Sequence, residues 1–288
     1  MAISFEKVSL TAQLAAYMRQ FSDIPFAGDV AELLHSREVF EALLKGHEMR
    51  PDDLLWYAPI FEVRYKSVTA AIQRSGCRQV LELASGLALR GLAMCQDASV
   101  KYIESDLSGI SAEKAQLIAI LRSRYGLADH HNLSFPAINA IEMSQLRKAV
   151  KTLRPDEPLA VVNEGLFPYL SPAEMQDVAR NIRDLLREFN GCWITPDFSI
   201  RGEVTQVSDQ QRAFRRIVSA ATERSMYNNA FDSLDQLKAF LDQVGFKAVV
   251  SNPLEDVPEP VSMRMLGLPS SLLAPLRSSL RLWVLTPA

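Results

Sequence analysis

Cysteine, histidine, net charge and long apolar runs are all scarce in this 288-residue chain, and each scarcity removes a class of function. The three cysteines, Cys77, Cys95 and Cys192, are too few and too scattered for a disulfide framework or a structural zinc site. The four histidines, His35, His47, His130 and His131, never fall at the three-to-five-residue spacing of a helical metal motif, and the adjacent pair diverges on a loop. No metal is expected. With 31 basic against 34 acidic residues the net charge is −3, which gives no electrostatic reason to expect a nucleic acid or a polybasic membrane contact. No apolar run approaches the ~18 residues of a membrane span. Residues Met1 to Lys7 also lack the basic start, apolar stretch and cleavage site of a secretory signal. A cytoplasmic location is expected.

Glycine is missing where a dinucleotide site would need it. The stretch Gln79-Val80-Leu81-Glu82-Leu83-Ala84-Ser85-Gly86 reads as a buried strand that ends in a small-residue turn and leads into a helix. A dinucleotide pyrophosphate needs a G-x-G-x-x-G turn for close backbone approach, but Ala84 and Leu89 occupy the outer glycine positions. A phosphate-free nucleoside fits better. The following strand, Lys101 to Asp106, carries a carboxylate 20 residues past Gly86, the offset at which such domains hold a ribose hydroxyl. S-adenosylmethionine has a ribose, an adenine and a zwitterionic tail without phosphate, so methyl transfer is the leading expectation.

The rest of the composition, 48% apolar and 23% charged, describes an ordinary globular chain, best read as one enlarged α/β domain. Residues 1–70 read as an N-terminal helical cap, with Leu33, Leu34, Phe40, Leu43 and Leu44 forming one apolar stripe and Pro25, Pro51 and Pro59 breaking it into short helices. From residue 71 to 288 short β-rich runs alternate with amphipathic ones, which predicts parallel strands joined by crossover helices. Strands are expected at 79–84, 102–105, 132–135, 159–163, 192–195, 246–250 and 280–285, the last two without an obvious crossover helix between them. Two stretches exceed a minimal sheet domain. The polar, helix-prone 198–229 and the proline-rich 253–275 read as insertions, placed where lids and substrate walls occur in open α/β sheets.

Several motifs, in order along the chain, resemble the leucine carboxyl methyltransferase family, including its bacterial branch of polyketide O-methyltransferases. They are Thr11-Ala12 with Arg19, then Arg64, then Val80 to Arg90, Glu104-Ser105-Asp106-Leu107, and Asn163-Glu164-Gly165-Leu166-Phe167-Pro168-Tyr169-Leu170-Ser171-Pro172. The last segment is the most specific. The resemblance implies an α/β, Rossmann-like, seven-stranded, mostly parallel methyltransferase sheet with an N-terminal helical region and a helical lid insertion. It implies S-adenosylmethionine as cofactor and an oxygen, often of a carboxylate, as methyl acceptor.

The same pattern assigns roles. Arg64 is expected to hold the methionine carboxylate, Gly86 to let the backbone pass close to the cofactor, and Asp106 to take the ribose hydroxyls. Asn139 falls near the adenine position, Glu164 near the methionine amino group, and Glu82 in the strand beneath the turn. Arg19 and Tyr169 are expected on the substrate side. Arg19 and Arg90 are candidates to steer an anionic acceptor, and either could equally form a structural ion pair. The family wording Gly-Ala-Gly-Leu-Asp-Thr-Arg is here Ala84-Ser85-Gly86-Leu87-Ala88-Leu89-Arg90, so the acid of that turn is absent.

A carboxylate acceptor needs no general base, since its unperturbed pKa near ~4 leaves it anionic at neutral pH, whereas a phenol near ~10 needs one. No histidine sits in a motif position to be that base, which favours a carboxylate over a hydroxyl; a small-molecule acceptor is expected, with a protein terminus left open. Two other classes stay open at the level of sequence: a noncatalytic nucleoside-binding relative, motivated by Ala88 and Leu89, and a nicotinamide-dependent oxidoreductase, disfavoured by the missing glycines.

Overall fold

The computed structural model describes residues 5–201, 209–222 and 230–288. Seven strands form a single sheet in the order β3-β2-β1-β4-β5-β7-β6. They are β1 (Gln79–Leu83), β2 (Lys101–Glu104), β3 (Leu133–Ser134), β4 (Leu159–Asn163), β5 (Cys192–Thr195), β6 (Phe246–Ser251) and β7 (Leu282–Pro287). The pairings β1–β2, β1–β4, β2–β3 and β4–β5 are parallel, while β7 runs antiparallel to both β5 and β6. All seven expected strands exist, with β3 cut to two residues.

The helices are α1 (Phe5–Arg19), α2 (Ala27–Leu33), α3 (Ser36–Leu44), α4 (Ala58–Ser75), α5 (Arg90–Met94), α6 (Ser108–Tyr125), α7 (Met143–Ala149), α8 (Pro172–Phe189), α9 (Asp209–Thr222) and α10 (Leu234–Val244). Three short ones, α11 (Pro253–Asp256), α12 (Val261–Met265) and α13 (Leu273–Ser279), join β6 to β7.

Every residue of β1 and β4 is buried because helices cover both sheet faces, which is why these strands read as nearly continuous apolar runs. Successive side chains still alternate between the faces. Val80, Ala160 and Val162 pack with Val68, Ala71 and Ile72 of α4, whereas Leu81, Leu159, Val161 and Trp193 pack with Val178, Ile182 and Leu185 of α8. The start of α8 is fixed locally. Ser171 Oγ accepts from the Glu174 N–H while the Glu174 carboxylate accepts from the Ser171 N–H, a capping box with Pro172 in the first turn.

The apolar stripe expected across Leu33 to Leu44 is divided in the structure. His35 adopts a left-handed backbone at φ 49 and turns the chain between α2 and α3. Leu33 and Leu34 consequently pack toward Ile110 and Leu117 of α6, while Phe40 and Leu44 join Leu14, Tyr17 and Met18 of α1. A run of apolar spacings had concealed two short helices facing different neighbours.

The stretch 198–229 lies partly outside the described residues, at 202–208 and 223–229. Its described helix α9 sends Phe214, Ile217 and Val218 into the cluster formed by α1 and α3. The second stretch, 253–275, holds short helices and packs on α4. Glu62 of α4 accepts the backbone N–H groups of Val261 and Ser262, both at 2.8 Å. These short helices join antiparallel strands, so the last two strands are, as expected, connected without a crossover helix. Among the described residues no helix is long and apolar enough to cross a membrane.

Candidate active site

The carboxyl ends of β1, β2, β4 and β5 each deliver a turn or an acid to one edge of the sheet. After β1, Ala84 and Gly86 both take left-handed backbones, φ 50 and φ 53. That turn points the Gly86 N–H at Asp106 Oδ2, 2.7 Å away, and Asp106 Oδ1 accepts from the Leu107 N–H at 2.7 Å. Burial pushes the Asp106 carboxyl upward against these two donors and leaves it above the ordinary aspartate value. Gly86 and Asp106, 20 residues apart, are thus in direct contact.

The turn rests on buried charge. Lys114 of α6 donates to Ser85 Oγ at 2.7 Å and lies 3.2 Å from Glu104, whose other oxygen accepts the Gly91 N–H. Glu82 is buried beneath the turn, with one oxygen paired to Arg90 and the other accepting the Tyr102 hydroxyl at 2.7 Å. Arg90 is fully buried. It also donates to Glu164 Oε2 at 2.8 Å and to Thr69, and its guanidinium sits 4.3 Å from the Tyr65 ring centroid. Of the two readings open for Arg90, the structural ion pair is the one realised.

Glu164, at the end of β4, gathers three arginines. Its Oε1 accepts from Arg19 Nη2 at 2.9 Å, its Oε2 takes Arg90, and Arg64 Nε lies 3.9 Å away. Burial raises this carboxyl, but the charges of Arg19, Arg90 and Arg64 outweigh it and hold the group below the ordinary glutamate value. Arg64 is 23% exposed and donates through Nη2 to Asp197 Oδ1 at 2.7 Å. Arg19, the last residue of α1, faces Glu164.

Asn139 follows Ala137, which bridges to Asp106, and its side-chain oxygen accepts the Ile141 N–H at 3.2 Å. Tyr169 closes the short 3-10 turn Phe167–Tyr169 and is half-buried. The structure therefore joins Arg19, Arg64, Glu82 and Glu164 in one network and Gly86 with Asp106 in another. The sequence reading does not single out Asp197 or Lys114, and it names Glu104 in the family motif without a role. For Asp197 the signal was available: it is an acid just past a strand's carboxyl end, the criterion that selected Asp106 and Glu164.

Helix α1 lies across this edge. Ala12 sits where a Cβ on Gly86 would meet it at 3.7 Å, and Arg19, two turns on, reaches Glu164. An apolar crevice remains between Ala16, Ile24 and Val30 of the cap and Leu87, Ala88 and Leu89 of the turn, with Arg19 on its wall. Among the described residues no group of three or more His, Cys, Asp or Glu side chains is arranged to hold a metal ion.

The family model for leucine carboxyl methyltransferase matches residues 37–183, just over half of the chain. The chain belongs to the leucine carboxyl methyltransferase family. It is a methyltransferase. A DUF574 family protein from Streptomyces avermitilis superposes with a TM-score of 0.54 at 10% identity, covering 88% of this chain and 97% of that one. An O-methyltransferase family protein from Burkholderia thailandensis gives a TM-score of 0.50 at 11% identity, over 92% of this chain and 63% of that one. At such identities these two structures bear on the fold alone. No curated protein matches the chain by sequence.

A methyl donor of the S-adenosylmethionine type is tested by the donor set. A guanidinium for a carboxylate, a carboxylate for an ammonium, and a second carboxylate beside a left-handed glycine for a ribose all lie on one sheet edge. Arg19 Nε is moreover buried without a hydrogen-bond partner among the described residues. The set fits the group.

Proposed function

We propose that this family member is an S-adenosylmethionine-dependent O-methyltransferase acting on a carboxylate of a small molecule. The observation that carries the reading is the gathering of Arg64, Glu164, Gly86 and Asp106 at the carboxyl ends of adjacent strands, with complementary charges in the order the cofactor's tail and ribose require. When bound, the cofactor supplies an electrophilic methyl group on a sulfonium.

The chain's own residues divide the remaining work. Arg64 offers a planar fork to the methionine carboxylate, Glu164 offers an anion to the ammonium, and Asp106 accepts from ribose hydroxyls while Gly86 gives backbone clearance. Asn139, one residue past the segment bridged to Asp106, is placed for the adenine edge. Glu82 acts from beneath, holding Arg90 so that Arg90 in turn holds Glu164. A carboxylate acceptor is anionic at neutral pH, so no residue has to remove a proton. Catalysis then rests on alignment, which can be worth roughly 7–11 kcal/mol when the reacting atoms are held in line. Helix α1 lies over the edge, and Arg19 and Tyr169 are assigned to the acceptor side.

Calorimetric titration with S-adenosylhomocysteine tests the cofactor reading. Saturable binding at one site per chain is expected, and its absence in folded protein would sink the proposal. The noncatalytic alternative draws on Ala88, which is buried against Ile24, Ala27 and Tyr65 where the family turn carries an acid. Transfer of radiolabelled methyl to any acceptor in a metabolite extract eliminates that alternative.

A further inference from the structure

A buried acid that the family wording does not single out ties the proposed cofactor ligands together. The Asp197 side chain is fully buried just beyond β5 and has five hydrogen-bond donors within reach. Oδ1 accepts from the Gly165 N–H and from Arg64 Nη2, each at 2.7 Å. Oδ2 accepts from the Leu166 N–H at 2.8 Å, the Phe167 N–H at 3.2 Å and Asn163 Nδ2 at 2.6 Å. Asn163 is itself held by Trp193, whose ring N–H donates to Asn163 Oδ1 at 2.6 Å, and by Thr195.

Two consequences follow from chemistry. Three successive backbone N–H groups converging on one point form a partly positive nest, and a carboxylate answers it where an amide, with one oxygen, cannot satisfy all five donors. The nest begins at Gly165, φ 88, so the carboxylate also sets the direction in which the preceding residue, Glu164, leaves the strand. The second consequence concerns Arg64. Its Nε is 3.9 Å from Glu164, too far for a hydrogen bond, and its Nη2 bond to Asp197 is what orients the fork. An arginine held in place before a ligand arrives loses less rotamer freedom on binding, which favours affinity.

We propose that Asp197 is a positioning residue for the amino-acid end of the cofactor, setting both Arg64 and Glu164 while touching neither the nucleoside nor the reacting atoms. The inference rests on the cofactor reading above. It makes a prediction that a purely structural role does not. Of the proposed cofactor ligands, Asp197 bears only on those assigned to the carboxylate and ammonium, and the ribose side, Gly86 with Asp106, is built from other elements. Loss of its charge therefore weakens a ligand bearing the amino-acid tail and spares one without it.

The test is calorimetric binding of S-adenosylhomocysteine and of 5′-methylthioadenosine, which lacks the amino-acid tail, to the full chain. In Asp197→Asn the affinity for S-adenosylhomocysteine is expected to fall at least tenfold, with that for 5′-methylthioadenosine changed less than twofold. Arg64→Gln is expected to give the same split, and the double variant to lose no more than the weaker-binding single one, as for residues acting as a unit. Equal losses for both ligands, or no loss for either, overturn the proposal. Wild-type protein that binds only 5′-methylthioadenosine also overturns it and leaves the nucleoside site standing; wild-type protein that binds neither removes the cofactor reading as well. If Asp197→Asn fails to fold by circular dichroism, Asp197→Glu carries the comparison, since it keeps the charge and displaces the oxygens by one methylene. Failure of both to fold makes the role one of stability and overturns the proposal.

Discussion

Ala84 holds a left-handed backbone at φ 50 in the turn after β1, at a position where the family wording has glycine. An L-residue there carries roughly 1–2 kcal/mol of local strain, and glycine would relieve it at an entropic cost of about 0.5–1 kcal/mol. Ala84→Gly is accordingly expected to stabilise the fold by about 0.5–1 kcal/mol, read as a higher midpoint in thermal unfolding; a lower midpoint would show that the methyl packs usefully. Glu164 makes a second prediction at this scale. Its folded pKa lies below the ordinary 4.5 because three arginines outweigh its burial. The stability it contributes is thus complete above the unfolded value and is lost as pH falls through the folded one. Urea unfolding of wild type and Glu164→Gln should show a stability gap at pH 7 that narrows as the pH drops below about 4.5. A gap independent of pH would mean that the carboxylate's charge is not what matters.

Among the elements, α4 does the most connecting. Its middle packs on β1 and β4, and its first turns carry Glu62 and Arg64. Glu62 is completely buried and caps the start of α12 through two N–H bonds, with Lys66 as its counter-charge. Replacing it by alanine leaves those N–H groups without their acceptor, a loss of about 1–3 kcal/mol. Amide exchange in Glu62→Ala should accelerate at Val261 and Ser262 before it does in β1. The same helix shows why 253–275 looked irregular in sequence. Its prolines and short apolar runs fit a strap moored on a distant carboxylate, and nothing local records that mooring.

For the molecule as a whole, the N-terminal cap and the sheet meet at the proposed site. Ala12 approaches Gly86, Arg19 binds Glu164, and Ile24 and Ala27 pack on Ala88. Ligand binding at the turn after β1 should be felt through α1. Hydrogen exchange with and without S-adenosylhomocysteine is expected to show slower exchange at 11–20 and 84–90 together. Protection confined to 84–90 would show that the cap does not participate.

The sequence by itself determined the number of the strands and their places along the chain, because strand burial on two faces and helix burial on one write different periods into it. It also determined that acids stand at the ends of β2 and β4 and that the turn between β1 and α5 is short of glycine. Tertiary structure alone decided what those acids touch. Arg90 and Glu82, eight residues apart, could have faced solvent or a ligand, and burial makes them each other's counter-charge. Asp197 lies 133 residues from Arg64 and had no local pattern to announce their bond. The division of the Leu33 to Leu44 stripe was likewise settled by neighbours, since identical apolar spacings serve any core within reach. Even the glycine-poor turn, legible as an exception, acquires its meaning from α1 and Lys114, which precede and follow it in the sequence and meet it at Gly86 and Ser85.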